Sequence, residues 1–437
     1  MATGFKVKDI ESLMSSVFTQ EEVNSLSRRY GFIKRSRKIS AWAFVLTLVL
    51  GFSSERKRSI SSLRRAYSSL TGTAVVPSTF YDRFSASLVR LLKELVKRAL
   101  LAHREPSETL KGMWEDFADV VMMDATVFRL HDLLRPVFKG SGRGSLKAAA
   151  KLHVVMSAVG TGPRSVLITG ETTHESRKLV VGPWVANRLL LFDLGYFRYG
   201  LFDRITHHGG YFISRVKKSS NPRIVKLHTP VRGRAIDVVG KRLLEVLPTL
   251  KRQILDVEVE LEFSRRPRNG HRSQGRRQVR LVAVHNEDAG DYHLYFTNIG
   301  GQALTPRQIA MSYSCRWSIE LLFREMKQHY RLSEMTSSNR HVVEALLYAA
   351  ILTLVVSRTL WQALRKRFLQ AKMYSTPERW ATLLQSLAPE IAELMLHPRG
   401  QRNRFRRRLK MVIQEAPDVH LNRYGGLLSR VQFEGAL

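Results

Sequence analysis

Two aspartates in this chain sit where a charge is expensive. Asp124 follows the apolar run Val120–Met123, and Asp193 follows Leu189–Phe192. Each run reads as an interior strand, where an ionised carboxylate is costly unless it is paired or holds a metal. A strand-end cap or a salt-bridge partner would also relieve that cost. A third carboxylate, Glu320, lies in the stretch Tyr313–Lys327, YSCRWSIELLFREMK. Two such aspartates with Glu320 on a following helix favour one joint site. Three carboxylates with few histidines and no thiolate cluster suit Mg²⁺ or Mn²⁺, hard ions that prefer oxygen. Two such ions about 4 Å apart can activate a water or a 3′-hydroxyl and stabilise the leaving oxygen of an in-line phosphoryl displacement.

The residues around Glu320 are patterned as well. Read as one helix at about 100° per residue, Tyr313, Arg316, Glu320 and Lys327 fall within an arc of roughly 60°. Ile319, Leu322, Phe323 and Met326 form a core-facing set beside that stripe, and Trp317 and Leu321 flank its other side. A charged stripe between apolar flanks suggests a half-buried carboxylate among cations, as a site handling metal ions and phosphate requires. The plainer alternative is a surface ion pair between Glu320 and Arg324, with Tyr313 in the core.

The elements that must position these groups follow in chain order. Residues 1–110 read as helical, with a helix, a Gly-containing turn at Thr71–Thr73 and a second helix capped by Ser78 or Thr79. Residues 59–92 thus make a candidate helix-turn-helix, with Lys57, Arg58, Arg64, Arg65 and Arg83 near enough to meet phosphates. The alternative is a helical hairpin packed on the rest of the protein. From Asp119 the period becomes that of strands: ADVVMMDATVF, then KLHVVMSAV and RSVLITG as a hairpin, RLLLFD, and GGYFISRVK. ESRKLVVGPWVANR reads as a helix that Gly182-Pro183 could break. This order describes a mixed α/β sheet with the Glu320 helix packed on it.

Residues 224–278 interrupt that order as a β-rich insertion: ILDVEVELEF, a basic loop RRPRNGHRSQGRRQ, and VRLVAVH. The catalytic unit is then residues 115–223 and 279–335. Thr305-Pro306-x-Gln308 is a capping box with Pro at the first helical position. Residues 336–437 are helical and include the strongly basic His397–Lys410, either a phosphate-binding or a solvated face.

Composition narrows the partners. Among 437 residues, 71 Lys+Arg oppose 37 Asp+Glu, a formal net charge of +34 spread along the whole chain. Such a surplus favours a polyanion, nucleic acid above all, over an anionic membrane surface. The single cysteine, Cys315, excludes disulfide scaffolds and thiolate zinc sites and reads as a buried filler. His207-His208 lacks spaced partners for zinc. The apolar runs Ala41–Phe52 and Ala345–Val356 read as buried helices, and no signal peptide is seen. A cytoplasmic, nucleoid-associated protein with no membrane partner is expected.

Tyr-x2-Arg-x3-Glu-x6-Lys resembles the Y-R-E-K signature of DDE transposases of the insertion-sequence-four family at all four positions. The blocks KLHVVMSAVGTGPRSVLITG and LLLFDLGYFRYGLFDRITHHGGYFISRVK also resemble that family, so the likeness spans roughly Asp119–Val356. It implies a ribonuclease-H-like α/β fold with a β-rich insertion that closes over a DNA end. By the same resemblance, Asp124, Asp193 and Glu320 would be the catalytic, metal-binding triad with two Mg²⁺ or Mn²⁺ ions. Tyr313, Arg316 and Lys327 would hold the transposon-end phosphates. The activity implied is cut-and-paste transposition by a homodimer on double-stranded DNA, binding terminal inverted repeats, cutting through hairpin ends and joining target DNA. Some relatives stack a flipped base on a tryptophan of the insertion; this insertion has none, leaving Tyr292, Tyr295 and Phe296 as substitutes. A ribonuclease-H-like structure-specific nuclease, or a non-catalytic DNA-binding protein descended from a transposase, are the rival expectations.

Overall fold

The fold is seen in a computed structural model that describes residues 5–34, 38–51, 59–102, 110–141, 147–158, 162–174, 179–228, 236–264, 273–287, 290–330, 335–370, 373 and 375–417. Lys57 and Arg58, and residues 265–272 of the basic loop, lie outside the described residues.

The chain begins with helices α1 (Val7–Val17), α2 (Gln20–Tyr30), α3 (Ala41–Leu50), α4 (Ile60–Thr71), α5 (Pro77–Tyr81) and α6 (Ala86–Ala102). Their ends carry local signals. Thr19 and Glu22 form a reciprocal capping box on α2, and Gly31 ends it in the left-handed conformation that glycine adopts without steric cost. All ten residues of α3 are buried, as its unbroken apolar run predicts. The turn after α4 is made by Gly72 at φ 66°. The next helix departs from expectation. It starts at Pro77 rather than after a Ser78 or Thr79 cap, and it stops after five residues. Proline at the first helical position sets that start without a side-chain cap.

One nine-stranded sheet forms the middle of the molecule. Its strands are β1 (Asp119–Leu130), β2 (Ala148–Ser157), β3 (Pro163–Gly170), β4 (Arg188–Phe192), β5 (Tyr211–Arg215), β6 (Arg223–Leu227), β7 (Ile254–Ser264), β8 (Gln274–Asn286) and β9 (Asp291–Thr297). The order across the sheet is β3-β2-β1-β4-β5-β9-β8-β7-β6. β1 runs parallel to β4, and β4 to β5; the other neighbours are antiparallel. The central strands read as continuous apolar runs because both faces are covered. The strands of the insertion are hydrogen-bonded into this sheet, and the boundary expected at residue 278 falls inside β8.

Between β4 and β5 lies α7 (Tyr199–His207), and α8 (Leu243–Val246) is a single turn beside β6. The helix expected over 175–188 is not formed across the described part of that stretch, residues 179–188. Among the described residues of that stretch only Pro183–Val185 are helical, as a 3-10 turn. Gly182-Pro183 and the β-branched Val180 and Val181 account for the loss. After β9 come α9 (Pro306–Ser314), α10 (Trp317–Gln328), α11 (Arg340–Gln370), α12 (Pro377–Leu396) and α13 (Pro398–Glu415). By length and composition α11 could cross a membrane, but 89% of its most apolar stretch is buried within the fold, against α6, α3, α1 and α12. The basic run His397–Lys410 forms most of α13, which buries Phe405 and Leu409 and leaves Arg404, Arg406 and Arg407 exposed.

Candidate active site

Period-two alternation decides where the two aspartates point. Along β1, Val120 and Met122 pack into the helical core, whereas Val121 and Met123 pack into the core on the other face. Asp124 therefore shares the helical face. Leu189 and Leu191 of β4 face the helices too, which places Asp193 on the same side. The parallel register pairs Met123 with Phe192, so Asp124 and Asp193 follow at the next position of neighbouring chains. Asp193 precedes a 3-10 turn but makes no side-chain cap there. Its carboxylate is turned to the helices instead, where the Tyr313 hydroxyl donates to Oδ1 at 3.5 Å.

The third carboxylate arrives from α10, held by its buried face of Ile319, Leu322, Phe323 and Met326. Tyr313–Lys327 is not one uninterrupted helix. The N–H groups of Cys315, Arg316, Ser318 and Ile319 bond three residues back. This turn of 3-10 spacing tightens the chain between α9 and α10. The sequence conceals the junction because Cys315 and Arg316 keep helical dihedrals. The expected capping box at the start of α9 is present, with Thr305 accepting from the Gln308 N–H.

Arg316 projects from that turn into the acidic cluster. Nη1 donates to Asp124 Oδ2 at 3.2 Å and Nη2 to Glu320 Oε1 at 2.6 Å. Its side chain is only 13% exposed, and Nε is buried without an acceptor among the described residues. Burial opposes the Arg316 charge, but Tyr313, Glu320, Asp193 and Asp124 outweigh it and raise its pKa. The plainer alternative, a surface pair between Glu320 and Arg324, does not form; Arg324 reaches Glu378 on α12 at 2.9 Å. Lys327 lies farther along α10, with Nζ 5.4 Å from the Phe128 ring centre. Phe128 is on the Asp124 face of β1, two pleats on. The structure thus gathers Asp124, Asp193, Glu320, Tyr313 and Arg316 at one point and sets Lys327 apart from it, farther along the same face of β1 by Phe128.

A ladder of aromatic rings and cations extends the cluster. Arg316 lies over Tyr313 at 5.8 Å, Tyr313 meets Tyr295 at 5.2 Å, and Arg215 at the end of β5 lies over Tyr295 at 5.9 Å. Burial drives the Tyr313 phenol pKa far above its ordinary value, so it stays a donor. Burial likewise pushes the Cys315 thiol up to about 12, consistent with an inert filler. Trp317, beside Arg316, is 58% exposed, unusual for so large a ring. Its place on the outer flank of the stripe is legible in the sequence; its exposure, shared by Leu321 on the same flank, is not. Two of the expected base-stacking candidates are excluded. Tyr295 and Phe296 are buried in the two cores. Tyr292 is tied by its hydroxyl to the carbonyls of Leu250 and Arg252.

Among the described residues, no group of three or more carboxylates, histidines or cysteines is arranged as a cation cage. The donor chemistry nonetheless suits a hard divalent ion: three carboxylates from three elements, with the Arg316 guanidinium already drawn between two of them.

Acidic groups on neighbouring parallel strands, one within β1 and one at the end of β4, a third on a covering helix, and cations beside them define a class of enzyme acting on phosphodiesters. Residues 115–356 match the Transposase DDE domain family, and the chain belongs to that family. It is a DDE transposase, an enzyme acting on DNA, and enzymes with this domain generally depend on divalent metal ions. The chain is 23% identical over 384 residues to the transposase for insertion sequence element IS1151 of Clostridium perfringens, covering 81% of each. It is also 23% identical over 394 residues to the transposase for insertion sequence element IS231F of Bacillus thuringiensis subsp. israelensis, covering 81% of this chain and 80% of that one. A more distant likeness is to the piggyBac transposase synaptic complex with hairpin DNA. It has a TM-score of 0.48 and 10% identity, covering 92% of this chain and 85% of the other.

Proposed function

We propose that this protein is a cut-and-paste transposase of the insertion-sequence-four type, with Tyr313, Arg316, Glu320 and Lys327 as its Y-R-E-K signature. One observation carries the reading: Asp124, Asp193 and Glu320, distant in sequence, converge through the signature's own Arg316 and Tyr313. The strand, hairpin and two parallel strands of β1–β5 support a ribonuclease-H-like catalytic unit, with β6–β8 as the insertion.

In this reading Asp124, Asp193 and Glu320 hold the divalent ions. When bound, these ions supply the Lewis acidity that activates the attacking oxygen and stabilises the leaving one. Arg316 offers a planar fork suited to a phosphate at the transposon end. Tyr313 offers a phenol that remains protonated and can donate to another phosphate oxygen. Lys327 places a point charge by Phe128, two pleats along β1 from Asp124, on the path of the same strand. The helical region 1–110 binds the terminal inverted repeats, and two copies pair the two ends as a homodimer. Cleavage through a hairpin and joining to target DNA complete the cycle.

The test is Mg²⁺-dependent cleavage of a labelled duplex carrying the source element's own end. Wild type should cut at the end, and Asp124→Ala, Asp193→Ala and Glu320→Ala should bind the duplex without cutting it. Undiminished cutting by any of the three would remove that residue from the mechanism.

A further inference from the structure

The Arg316 guanidinium is shared between two tasks that exclude each other. Its two terminal nitrogens are directed at Asp124 Oδ2 and Glu320 Oε1. A phosphate that takes the same fork must draw those nitrogens off the carboxylates. A divalent ion that takes the same oxygens must displace the guanidinium, because a small hard cation requires close oxygen contacts. Each ligand therefore competes for one half of a single ion pair, and its arrival releases the half that the other needs. The Tyr313 hydroxyl repeats the pattern more weakly at Asp193. Arg316 is well placed for this exchange. It springs from the 3-10 turn between α9 and α10, lies over the Tyr313 ring, and its Nε has no acceptor among the described residues.

We infer that Arg316 is a displaceable counter-ion that couples binding of a DNA-end phosphate to loading of divalent cations. This rests on the assignment of Asp124 and Glu320 as metal ligands. Binding of DNA strengthens cation binding, and binding of the cation strengthens DNA binding by the same factor, since the linkage is reciprocal. Away from a DNA end, the carboxylates stay neutralised by their own chain and bind cations poorly. Cleavage chemistry is thereby tied to the presence of a correctly seated end.

The experiment measures Mn²⁺ binding to the full chain from the electron paramagnetic resonance signal of free Mn²⁺. It is done with and without a duplex ending at the element's terminus, so that no bond remains to be cut. In wild type the duplex should tighten Mn²⁺ binding about tenfold, within the usual range of coupling between sites. Arg316→Ala should bind Mn²⁺ more tightly than wild type without DNA, and the duplex should add little more. Arg316→Lys, whose single ammonium cannot span both carboxylates, should lie between them and provides the same comparison if the alanine variant folds poorly. Mn²⁺ binding to both variants that is equal to or weaker than wild type without DNA would overturn the coupling while leaving the carboxylates as ligands. Glu320→Gln separates the two ideas: if it leaves Mn²⁺ binding intact, the ligand assignment fails and the coupling fails with it.

Discussion

Glu325 lies on α10, on the side turned away from Glu320, and is locked in the helical core. Its Oε1 accepts from the Tyr330 hydroxyl at 2.7 Å, and its Oε2 pairs with Arg358 on α11. The side chains of Glu325 and Arg358 are 3% and 7% exposed. Burial pushes the Glu325 pKa up, with Arg358 and the Tyr330 hydrogen bond opposing it. Arg358 Nε and Nη1 find no acceptor among the described residues, and its guanidinium lies over Trp361 at 5.9 Å. Arg358→Met should leave a buried carboxylate without its cation and cost about 3–5 kcal/mol. Arg358→Met with Glu325→Gln removes both charges, and the amide oxygen can still accept from Tyr330. The double variant should therefore lose only about 1–2 kcal/mol, the scale of an imperfect hydrogen bond. Urea unfolding followed by tryptophan fluorescence suits the test. Trp361 lies against Arg358, and Trp380 donates to the Ser357 carbonyl. The double variant should unfold at a higher midpoint than Arg358→Met. A double variant as unstable as the sum of the two single ones would refute the reasoning, because contacting residues must couple if the pair is real.

Three further outcomes follow from the geometry. Trp317→Ala should weaken binding to an end duplex by about 1–3 kcal/mol if its exposed ring stacks on a base; fluorescence anisotropy measures this, and the unfolding temperature should not move. Cys315, with its thiol held near 12 by burial, presents a thiolate fraction on the order of one in ten thousand at pH 8. That fraction grows as pH rises towards the pKa, so intact-mass analysis after iodoacetamide should show no adduct on folded protein at pH 8 and one adduct in denaturant. Arg280 makes a bidentate pair with buried Asp256 and donates to the carbonyls of Ile299 and Leu304. Arg280→Met should cost about 3–5 kcal/mol by stranding that charge, read as a lowered thermal unfolding temperature; an unchanged temperature would contradict the burial argument.

The parts of the fold set by local pattern were legible in the sequence. Apolar runs placed β1, β2, β3 and β4, and Thr305-Pro306-x-Gln308 marked the start of α9 at its observed residue. Asp124 and Asp193 stood out because strand interiors penalise unpaired charge. What escaped was decided by contacts distant in sequence. No spacing rule distinguishes a helix that continues through Cys315 and Arg316 from one that tightens there. The merging of residues 224–278 into the central sheet depends on β9, which joins β5 to β8. Likewise, Arg324 chose Glu378 over Glu320 because α12 lies within reach.

That merging bears on how a DNA end can be received. A hinged flap needs a joint whose backbone groups are free to rotate. Here the join between β5 and β9 is a ladder, Ile213 to Thr297, Ser214 to Phe296 and Arg215 to Tyr295. Asn298 staples it, accepting from the Phe212 N–H at 2.9 Å and donating to the Gly210 carbonyl at 2.8 Å. Swinging the outer strands would break these bonds one after another, each left unmade at a cost of about 1–3 kcal/mol. The outer strands therefore behave as a cantilever continuous with the floor of the site. Any movement of these strands would then be a shared twist of the whole sheet, and Tyr313, packed against Tyr295 on β9, would feel any load placed on the outermost strands.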